Sequence, residues 1–299
     1  MPLTGLSVPI PTLFADDGAL DTGRNAKFAR SVSEAKVDHL FVLGSLGEFP
    51  SVEDAERRRL LEVVIESTVG PADVWVGCGA PSTRQAIAYA EDAEGQGATA
   101  VVAVPPYYLH PSLPAVERYY RAIRASVSIP LLAYNIPSLV GYPLPPELVH
   151  RLARDGVIAG VKDTAGSLES VTSFLTGAPD GFVVMPGDDM LAGEAIRRGA
   201  AGAVMGMGNL VPRLCVELVR AARAGETDRV TECQTLVNEL VVVSHLAPFP
   251  AVDKFAAAVL WGAEVGYRAP YEPLSEEDQA QVRARLGALR PRLQPFLGR

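Results

Sequence analysis

The sequence predicts an α/β fold: a (β/α)8 TIM barrel followed by a C-terminal helical extension. Short runs of β-branched and small apolar residues recur roughly every 25 to 35 residues, and each is followed by a segment with helical periodicity. The chain has 299 residues, 48% hydrophobic and 21% charged, so it can bury a large core. The last third of the chain lacks strand-like runs and has helical periodicity instead.

Eight apolar runs are predicted as strands. In chain order they are Gly5–Pro9, His39–Leu43, Val74–Cys78, Ala100–Val104, Leu131–Tyr134, Ile158–Lys162, Phe182–Met185 and Gly202–Met205. Near-continuous apolar strands of this kind are buried on both faces, so the parallel sheet that they form needs a layer of helices. Right-handed crossovers then close the sheet into a barrel. A doubly wound open sheet is the alternative arrangement.

Helices are predicted between the strands and throughout the C-terminal part. Several begin where a hydroxyl side chain is able to cap the first turn, as at Ser51 and Ser82. Four more helical segments follow the last strand: Pro212–Ala224, Asp228–Ser244, Val252–Trp261 and Ser275–Leu289. Since no low-complexity linker intervenes, we predict a barrel over residues 1–209 and a helical extension over residues 210–299 that packs on it.

The composition disfavours several classes of function. A formal net charge of −8 argues against a nucleic-acid or anionic-membrane surface, because either would need a basic stripe. No apolar run is long enough to predict a membrane span or an export signal. The three cysteines, Cys78, Cys215 and Cys233, match neither a disulfide framework nor a zinc site. We therefore expect a cytoplasmic protein that binds a small molecule, with no metal and no cofactor.

Lys162 is the first candidate for chemistry, because reactive groups of a barrel lie at the C-terminal ends of its strands. The simplest interpretation is an ion pair with the adjacent Asp163. However, only four of the 27 basic residues are lysines, which leaves 23 arginines. Arginine supplies a charge but not the neutral amine that attacks a carbonyl, and burial at an apolar rim favours that neutral form. Lys162 is therefore predicted to act as a nucleophile.

Two further strand ends carry polar groups. Tyr134 ends the fifth run and is either an aromatic plug or, beside a nucleophilic lysine, a group that gives and retakes protons. Ser45 follows the second run in a glycine-rich turn with Leu46 and Gly47, whose backbone N–H groups are predicted to hold a carboxylate.

The seventh and eighth runs end in further candidates for substrate binding. Gly187, Asp188 and Asp189 follow the seventh run, and Met205 ends the eighth. The two carboxylates would repel phosphate but could accept hydrogen bonds from sugar hydroxyls. Their alternative role is to cap the next helix, and the sequence favours neither interpretation.

Five motifs occur in the order and spacing of a known superfamily. They are Gly44-Ser45-Leu46-Gly47-Glu48, Pro105-Pro106-Tyr107-Tyr108, Tyr134-Asn135-Ile136-Pro137, Gly160-Val161-Lys162-Asp163-Thr164 and Gly187-Asp188-Asp189. On these motifs the chain resembles the dihydrodipicolinate synthase and N-acetylneuraminate lyase superfamily over nearly its whole length.

The resemblance implies a role for each matching residue. Lys162 would form a Schiff base with pyruvate or a related 2-keto acid, and Tyr134 would donate and accept the protons. The Ser45 hydroxyl would link Tyr134 to Tyr108, which a neighbouring subunit of a homotetramer, a dimer of dimers, would contribute. Backbone groups of Ser45 and Leu46 would bind the pyruvate carboxylate.

Two departures from the family pattern bear on the substrate. The synthases typically have a threonine pair where this chain has Ser45-Leu46, and an arginine where this chain has Leu139 and its neighbours. Loss of a charged contact to a second carboxylate costs on the order of 2 to 5 kcal/mol. We therefore expect reversible aldol cleavage of a 2-keto-3-deoxy sugar acid. The alternative is 4-hydroxy-tetrahydrodipicolinate synthesis from pyruvate and aspartate semialdehyde.

Two other classes of protein remain to be weighed. A metal-dependent barrel hydrolase would need clustered ligands, yet none of His39, His110, His150 and His245 is four residues from another, so packing or surface roles are favoured. A non-catalytic binding or regulatory barrel is the second class, because fold alone does not establish function. The presence of both Lys162 and Tyr134 argues against it.

Overall fold

The computed structural model describes residues 3–297 and confirms the barrel. Its strands are β1 (Gly5–Pro9), β2 (His39–Val42), β3 (Asp73–Gly77), β4 (Ala100–Ala103), β5 (Leu131–Asn135), β6 (Gly160–Asp163), β7 (Val183–Pro186) and β8 (Gly202–Val204). All paired strands are parallel, in the order β7-β6-β5-β4-β3-β2-β1-β8. A hydrogen bond from the Ala201 N–H to the Val184 carbonyl (3.0 Å) joins the two outer strands. The sheet is a nearly closed (β/α)8 TIM barrel, and the open doubly wound alternative is wrong.

Helices surround the strands and continue beyond them. They are α1 (Thr22–Ser33), α2 (Asp54–Ser67), α3 (Thr83–Gly95), α4 (Leu113–Ser126), α5 (Pro137–Val140), α6 (Pro146–Arg154), α7 (Leu168–Leu175), α8 (Ala192–Arg197), α9 (Pro212–Ala224), α10 (Thr227–Ser244), α11 (Ala251–Trp261) and α12 (Glu276–Leu293). Short 3-10 turns cover Phe49–Ser51, Asp189–Leu191 and Gly206–Asn209.

The starts of two helices correct the sequence analysis. The predicted cap at Ser51 is wrong, because this residue ends a 3-10 turn. Instead α2 begins after Glu53, whose N–H donates to the Glu56 carboxylate (3.1 Å), so an acidic residue provides the reciprocal bond of a capping box. Ser82 does precede α3, but its side chain makes no capping hydrogen bond.

Alternation along the strands divides the apolar core into two clusters. On β2, Leu40 and Val42 face the helices, whereas Phe41 points into the barrel. The interior cluster also contains Trp75, and it includes Tyr134 on its side toward the C-terminal strand ends. Since this interior is filled by side chains, the barrel is a packed scaffold with no channel along its axis.

The helices after β8 reach that rim. The Gln234 side chain of α10 donates to the Asp189 carbonyl and accepts from the Gly193 N–H, both at 2.9 Å. Lys254 of α11 forms a buried ion pair with Glu48, in the loop after β2. The division between residues 1–209 and residues 210–299 stays a prediction. Within the part of the chain that the structure describes, no helix is both long and apolar enough to cross a membrane.

Candidate active site

A cavity of about 460 Å³ opens at the C-terminal end of the barrel. Most of the residues predicted for the site line this cavity: Ser45, Leu46, Tyr134, Leu139, Lys162, Gly187, Asp188 and Asp189. They come from four separate strand ends, those of β2, β5, β6 and β7, and the turns that follow, so the parallel topology of the barrel is what brings them together.

Lys162 is buried in the cavity wall without a carboxylate partner. Only 5% of the residue is exposed, and its Nζ lies 3.9 Å from the centre of the Tyr134 ring. Among residues 3–297, no Asp or Glu oxygen comes within ion-pair distance of this Nζ. Asp163 instead accepts a hydrogen bond from the Asn135 amide (2.7 Å), because successive residues of a strand face opposite sides. The ion-pair interpretation of Lys162 is therefore wrong.

Gly187 provides the space that the Lys162 side chain occupies. A Cβ at position 187 would lie 2.8 Å from Cε of Lys162 and 2.3 Å from Oγ1 of Thr164. Both distances are shorter than real side-chain contacts, so any residue other than glycine would displace the lysine. The predicted site glycine thus serves Lys162 through close packing.

Tyr134 is the neighbour of Lys162 across the β5–β6 pair. Burial raises the pKa of the Tyr134 phenol, but the charge of Lys162 and hydrogen bonding to the Lys162 and Ser45 side chains lower it by more, so the net shift is downward. A phenol with a lowered pKa gives up its proton more readily. The arrangement is suited to proton transfer beside an amine.

The turn after β2 presents backbone donors to the cavity. Among the described residues, no protein acceptor is hydrogen-bonded to the N–H of Ser45 or Leu46. Gly47 does not line the cavity: a Cβ there would lie 3.2 Å from the Ile10 carbonyl, and its own carbonyl accepts from Thr12 Oγ1 at 2.6 Å. Gly47 therefore permits the turn, and the two residues before it are the ones that line the cavity.

The carboxylates of Asp188 and Asp189 both accept hydrogen bonds from backbone N–H groups. Oδ1 of Asp188 accepts from the Met190 N–H (2.9 Å), at the start of a 3-10 turn. The two oxygens of Asp189 accept from Gly206 (3.0 Å) and Met207 (2.9 Å), beyond β8. Burial raises the pKa of Asp189 to about 7. Asp188 therefore caps the 3-10 turn that follows it, as the capping alternative expects, whereas Asp189 bonds to the turn beyond β8; both carboxylates also line the cavity.

Besides Gly47, two more of the predicted site residues do not line the cavity of this chain. Met205 is fully buried among the residues that face the helices, while its neighbour Val204 lines the cavity. Strand alternation accounts for this error of one position. Tyr108 is 89% exposed, with a positive φ of 70°, and does not line the cavity of its own chain. A contribution to the site of a neighbouring subunit stays a prediction.

The histidines divide into three packing residues and one at the cavity. His39 Nδ1 lies 2.5 Å from Asp73 Oδ1 at the opposite end of the barrel, and His150 bonds the Phe174 carbonyl (2.9 Å). His110 packs against an aromatic ring. His245 lines the cavity. Across residues 3–297, no three His, Cys, Asp or Glu side chains are grouped so that they could hold a metal ion.

The sequence analysis missed a wall of the cavity that the C-terminal helices supply. Its members Ser244, His245, Phe249 and Asp253 come from α10, α11 and the turn between them. Asp253 accepts a short hydrogen bond from the Ser244 hydroxyl. A signal was available, because Asp253 and Lys254 interrupt an otherwise apolar helix, and buried charges need partners or a function.

Known proteins resemble this chain over nearly its whole length, in sequence and in fold. The model of the dihydrodipicolinate synthetase family matches residues 2–289. An uncharacterised DapA-like lyase of Halobacterium salinarum is 35% identical over 288 residues, which cover 96% of this chain and 94% of that protein. A 4-hydroxy-tetrahydrodipicolinate synthase of Chlorobium phaeovibrioides is 31% identical, with coverage of 96% and 97%. The crystal structure of YagE, a prophage protein of the dihydrodipicolinic acid synthase family from E. coli K12 in complex with pyruvate, aligns with a TM-score of 0.92 at 32% identity, covering 96% and 99%.

Proposed function

Since the chain belongs to the dihydrodipicolinate synthetase family and is a lyase of the class I aldolase type, we propose that Lys162 forms the Schiff base and that the substrate is a 2-keto-3-deoxy sugar acid, cleaved reversibly. The observation that carries the proposal is the burial of Lys162 beside Tyr134 without a carboxylate partner. Membership of a family of lyases sets aside the non-catalytic alternative.

The proposed reaction uses the lysine as an electron sink. The neutral amine of Lys162 attacks C2 of the keto acid, and Tyr134 gives its proton to the hydroxyl that leaves as water, so a protonated imine and a phenolate result. The C3–C4 bond then breaks, its electron pair moves into the protonated imine to form an enamine, and the proton of the C4 hydroxyl returns to the Tyr134 phenolate as the aldehyde leaves. Protonation of C3 and addition of water release pyruvate and restore the amine.

The carboxylate of the keto acid has a matching partner in the turn after β2. Within residues 3–297 the N–H groups of Ser45 and Leu46 have no protein acceptor, which supports an anion at this position, because backbone donors in a tight turn bind anions well. The same contact would orient C2 toward Lys162. No cofactor is required for any step of this sequence.

The choice of substrate rests on the other end of the cavity. By the resemblance to the synthases, Leu139 and its neighbours replace the arginine that would bind a second carboxylate, and Leu139 is 63% exposed at the cavity rim. No arginine lines the cavity within the described residues. A neutral polyhydroxylated tail therefore suits this cavity better than the carboxylate of aspartate semialdehyde, the partner in the alternative synthase reaction.

The Schiff base is tested by borohydride reduction in the presence of pyruvate. We expect one pyruvyl adduct, located on Lys162 by peptide mapping and abolished in Lys162→Arg. Lys254 is the internal control, because it is also buried but is paired with Glu48. An adduct on Lys254, or no adduct, would contradict the proposal.

The substrate is tested by comparing kcat/KM for cleavage of 2-keto-3-deoxygluconate with kcat/KM for condensation of pyruvate and aspartate semialdehyde. This ratio measures the difference in transition-state binding. We expect cleavage to be the faster reaction. Faster condensation would make the synthase alternative correct.

We also propose that the protein is a cytoplasmic homotetramer in which Tyr108 completes the site of a neighbouring subunit. The exposure of Tyr108 in the single chain supports this assembly, since large aromatic side chains at the surface are common at interfaces. Light scattering should give the mass of four chains. A monomer with full activity would rule out the shared site.

A further inference from the structure

Three carboxylates line the cavity, but two of them are already engaged by the backbone. Asp188 accepts from one N–H, and Asp189 accepts from two. These bonds fix the turns that follow β7 and β8. Their acceptor capacity is therefore partly used before any substrate binds.

Asp253 differs from the other two. It is 7% exposed, and in the part of the chain that the structure describes no backbone N–H donates to it. Its single donor is the Ser244 hydroxyl, which bonds Oδ1. A carboxylate has two oxygens and about four acceptor sites, so most of the capacity of Asp253 remains unused. Because buried polar groups are normally hydrogen-bonded, a ligand in the cavity is the natural partner.

The groups around Asp253 define the chemistry of that partner. Ser244 and His245 line the same wall, and the only ammonium or guanidinium group in the cavity lining of the described residues is that of Lys162. A second carboxylate on the substrate would meet Asp188, Asp189 and Asp253 and would be repelled. Neutral hydroxyl groups would instead find acceptors.

From these observations we infer that Asp253 is the specificity-determining residue for the aldehyde portion of the substrate: its carboxylate accepts hydrogen bonds from the tail hydroxyls, and Ser244 positions it. This inference rests on the proposed function. The sequence analysis expected Asp188 and Asp189 to bind the sugar hydroxyls, whereas the inference assigns that role to Asp253 in the first turn of α11.

A pair of substrates tests the inference on the unaltered enzyme. 2-Keto-3-deoxygluconate carries hydroxyls on C5 and C6, and 4-hydroxy-2-oxohexanoate has the same chain length without them. Each is cleaved at C3–C4, so pyruvate release measures both. We expect wild-type kcat/KM to be roughly 10- to 100-fold higher for the hydroxylated substrate, the discrimination that hydrogen bonds to a charged group provide. Equal values would overturn the inference.

The variant Asp253→Asn should reduce this preference to a few-fold by lowering kcat/KM for the hydroxylated substrate alone. Its rate of pyruvate trapping by borohydride should equal that of the wild type, since pyruvate has no tail. Asp228→Asn, on the exposed surface of α10, is the matched control. The assays belong at pH 8, because burial raises the pKa of Asp253 to about 6 and the carboxylate is then ionised.

The results of these assays distinguish failure of the inference about Asp253 from failure of the proposed function on which it rests. Failure of the wild type to trap pyruvate would contradict the Schiff-base proposal. Normal trapping with no cleavage of either hydroxy acid would contradict both the proposed substrate and the inference, whereas normal cleavage with an unchanged preference in Asp253→Asn would overturn the inference alone. Should Asp253→Asn fail to fold, Ser244→Ala and the wild-type preference decide, since both bear on the same contact.

Discussion

At the scale of single residues, the contact between Gly187 and Lys162 should control imine formation. In Gly187→Ala the new methyl group would displace Cε of Lys162, which lies 2.8 Å from the position of that methyl. A displacement of about 1 Å costs roughly 100-fold in rate, so pyruvate trapping should slow by this order. Gly95→Ala is the control, because a Cβ there meets no atom within 4 Å. Equal trapping in both variants would show that Lys162 tolerates the methyl group.

The Tyr134 hydroxyl should matter for turnover more than for stability. Tyr134→Phe keeps the ring of the interior cluster but removes the group that exchanges protons, so turnover should fall roughly 10²- to 10⁴-fold. Tyr120→Phe is a matched control in which the opposite result is expected. The Tyr120 hydroxyl donates to the Ala103 carbonyl (3.0 Å) and does not line the cavity. That variant should lose stability and retain turnover. Normal turnover in Tyr134→Phe would make this residue an aromatic plug only.

At the scale of elements, the Glu48–Lys254 pair joins α11 to the turn after β2. Lys254 is 1% exposed and also donates to the Gly266 carbonyl (3.0 Å). Removing one member of a buried pair leaves the other uncompensated, so Lys254→Met should lower the free energy of unfolding by about 3 to 5 kcal/mol. Lys27→Met, at an exposed pair with Glu264, should cost at most about 1 kcal/mol. Urea denaturation measures both.

The double variant Glu48→Gln/Lys254→Met checks the cause of that loss. Because it leaves no unpaired charge, it should be more stable than Lys254→Met alone. A double variant that is less stable than the single one would mean that packing, and not charge compensation, dominates at this contact.

The strands could be predicted because each follows from a local sequence pattern. The cavity wall formed by distant helices could not, because it depends on tertiary packing. Apolar runs and their spacing identified each strand to within two residues, and the strand-end rule led to Lys162, Tyr134 and Ser45. The error at Met205 was an error of one position. Alternate residues of a strand face opposite sides, and at a strand end the sequence alone does not show which residue faces the cavity. Asp253 lies some 90 residues beyond Lys162 in sequence. Only the packing of α10 and α11 over the rim brings it to the cavity.

At the scale of the whole molecule, two carboxyl groups in the cavity wall, those of Asp189 and Asp253, should shape the dependence of stability on pH. Burial raises the pKa of Asp189 to about 7, with smaller contributions from the charges of Asp188 and Asp253, and raises that of Asp253 to about 6. Unfolded aspartates titrate near pKa 3.9. Between these values the folded protein binds more protons, so the free energy of unfolding should fall as pH rises from about 4 to about 7.

Urea denaturation at half-unit pH steps checks this expectation. Glu217 acts in the opposite sense, because hydrogen bonding to Arg220 lowers its pKa to about 2. Its contribution to stability changes with pH only below about pH 5 and is constant above that value. Between pH 5 and 7 the wild type should lose stability, and Asp189→Asn should show a flatter profile. Asp228→Asn should follow the wild type. A wild-type profile that rises across this interval would contradict the shifted values.

The first turn of α11 carries two adjacent charged residues with different roles. This difference affects how the substrate specificity of such an enzyme can change in evolution. Lys254 fastens the helix to the barrel, whereas Asp253 belongs to the cavity wall. The groups proposed for carbon–carbon chemistry come from other segments of the chain. Inherited changes in residues 244–253 would then alter which aldehyde is accepted without disturbing capture of the keto acid. A library randomised at Ser244, His245 and Asp253 with Lys254 retained should therefore yield new specificities at a higher frequency than one randomised around Lys162.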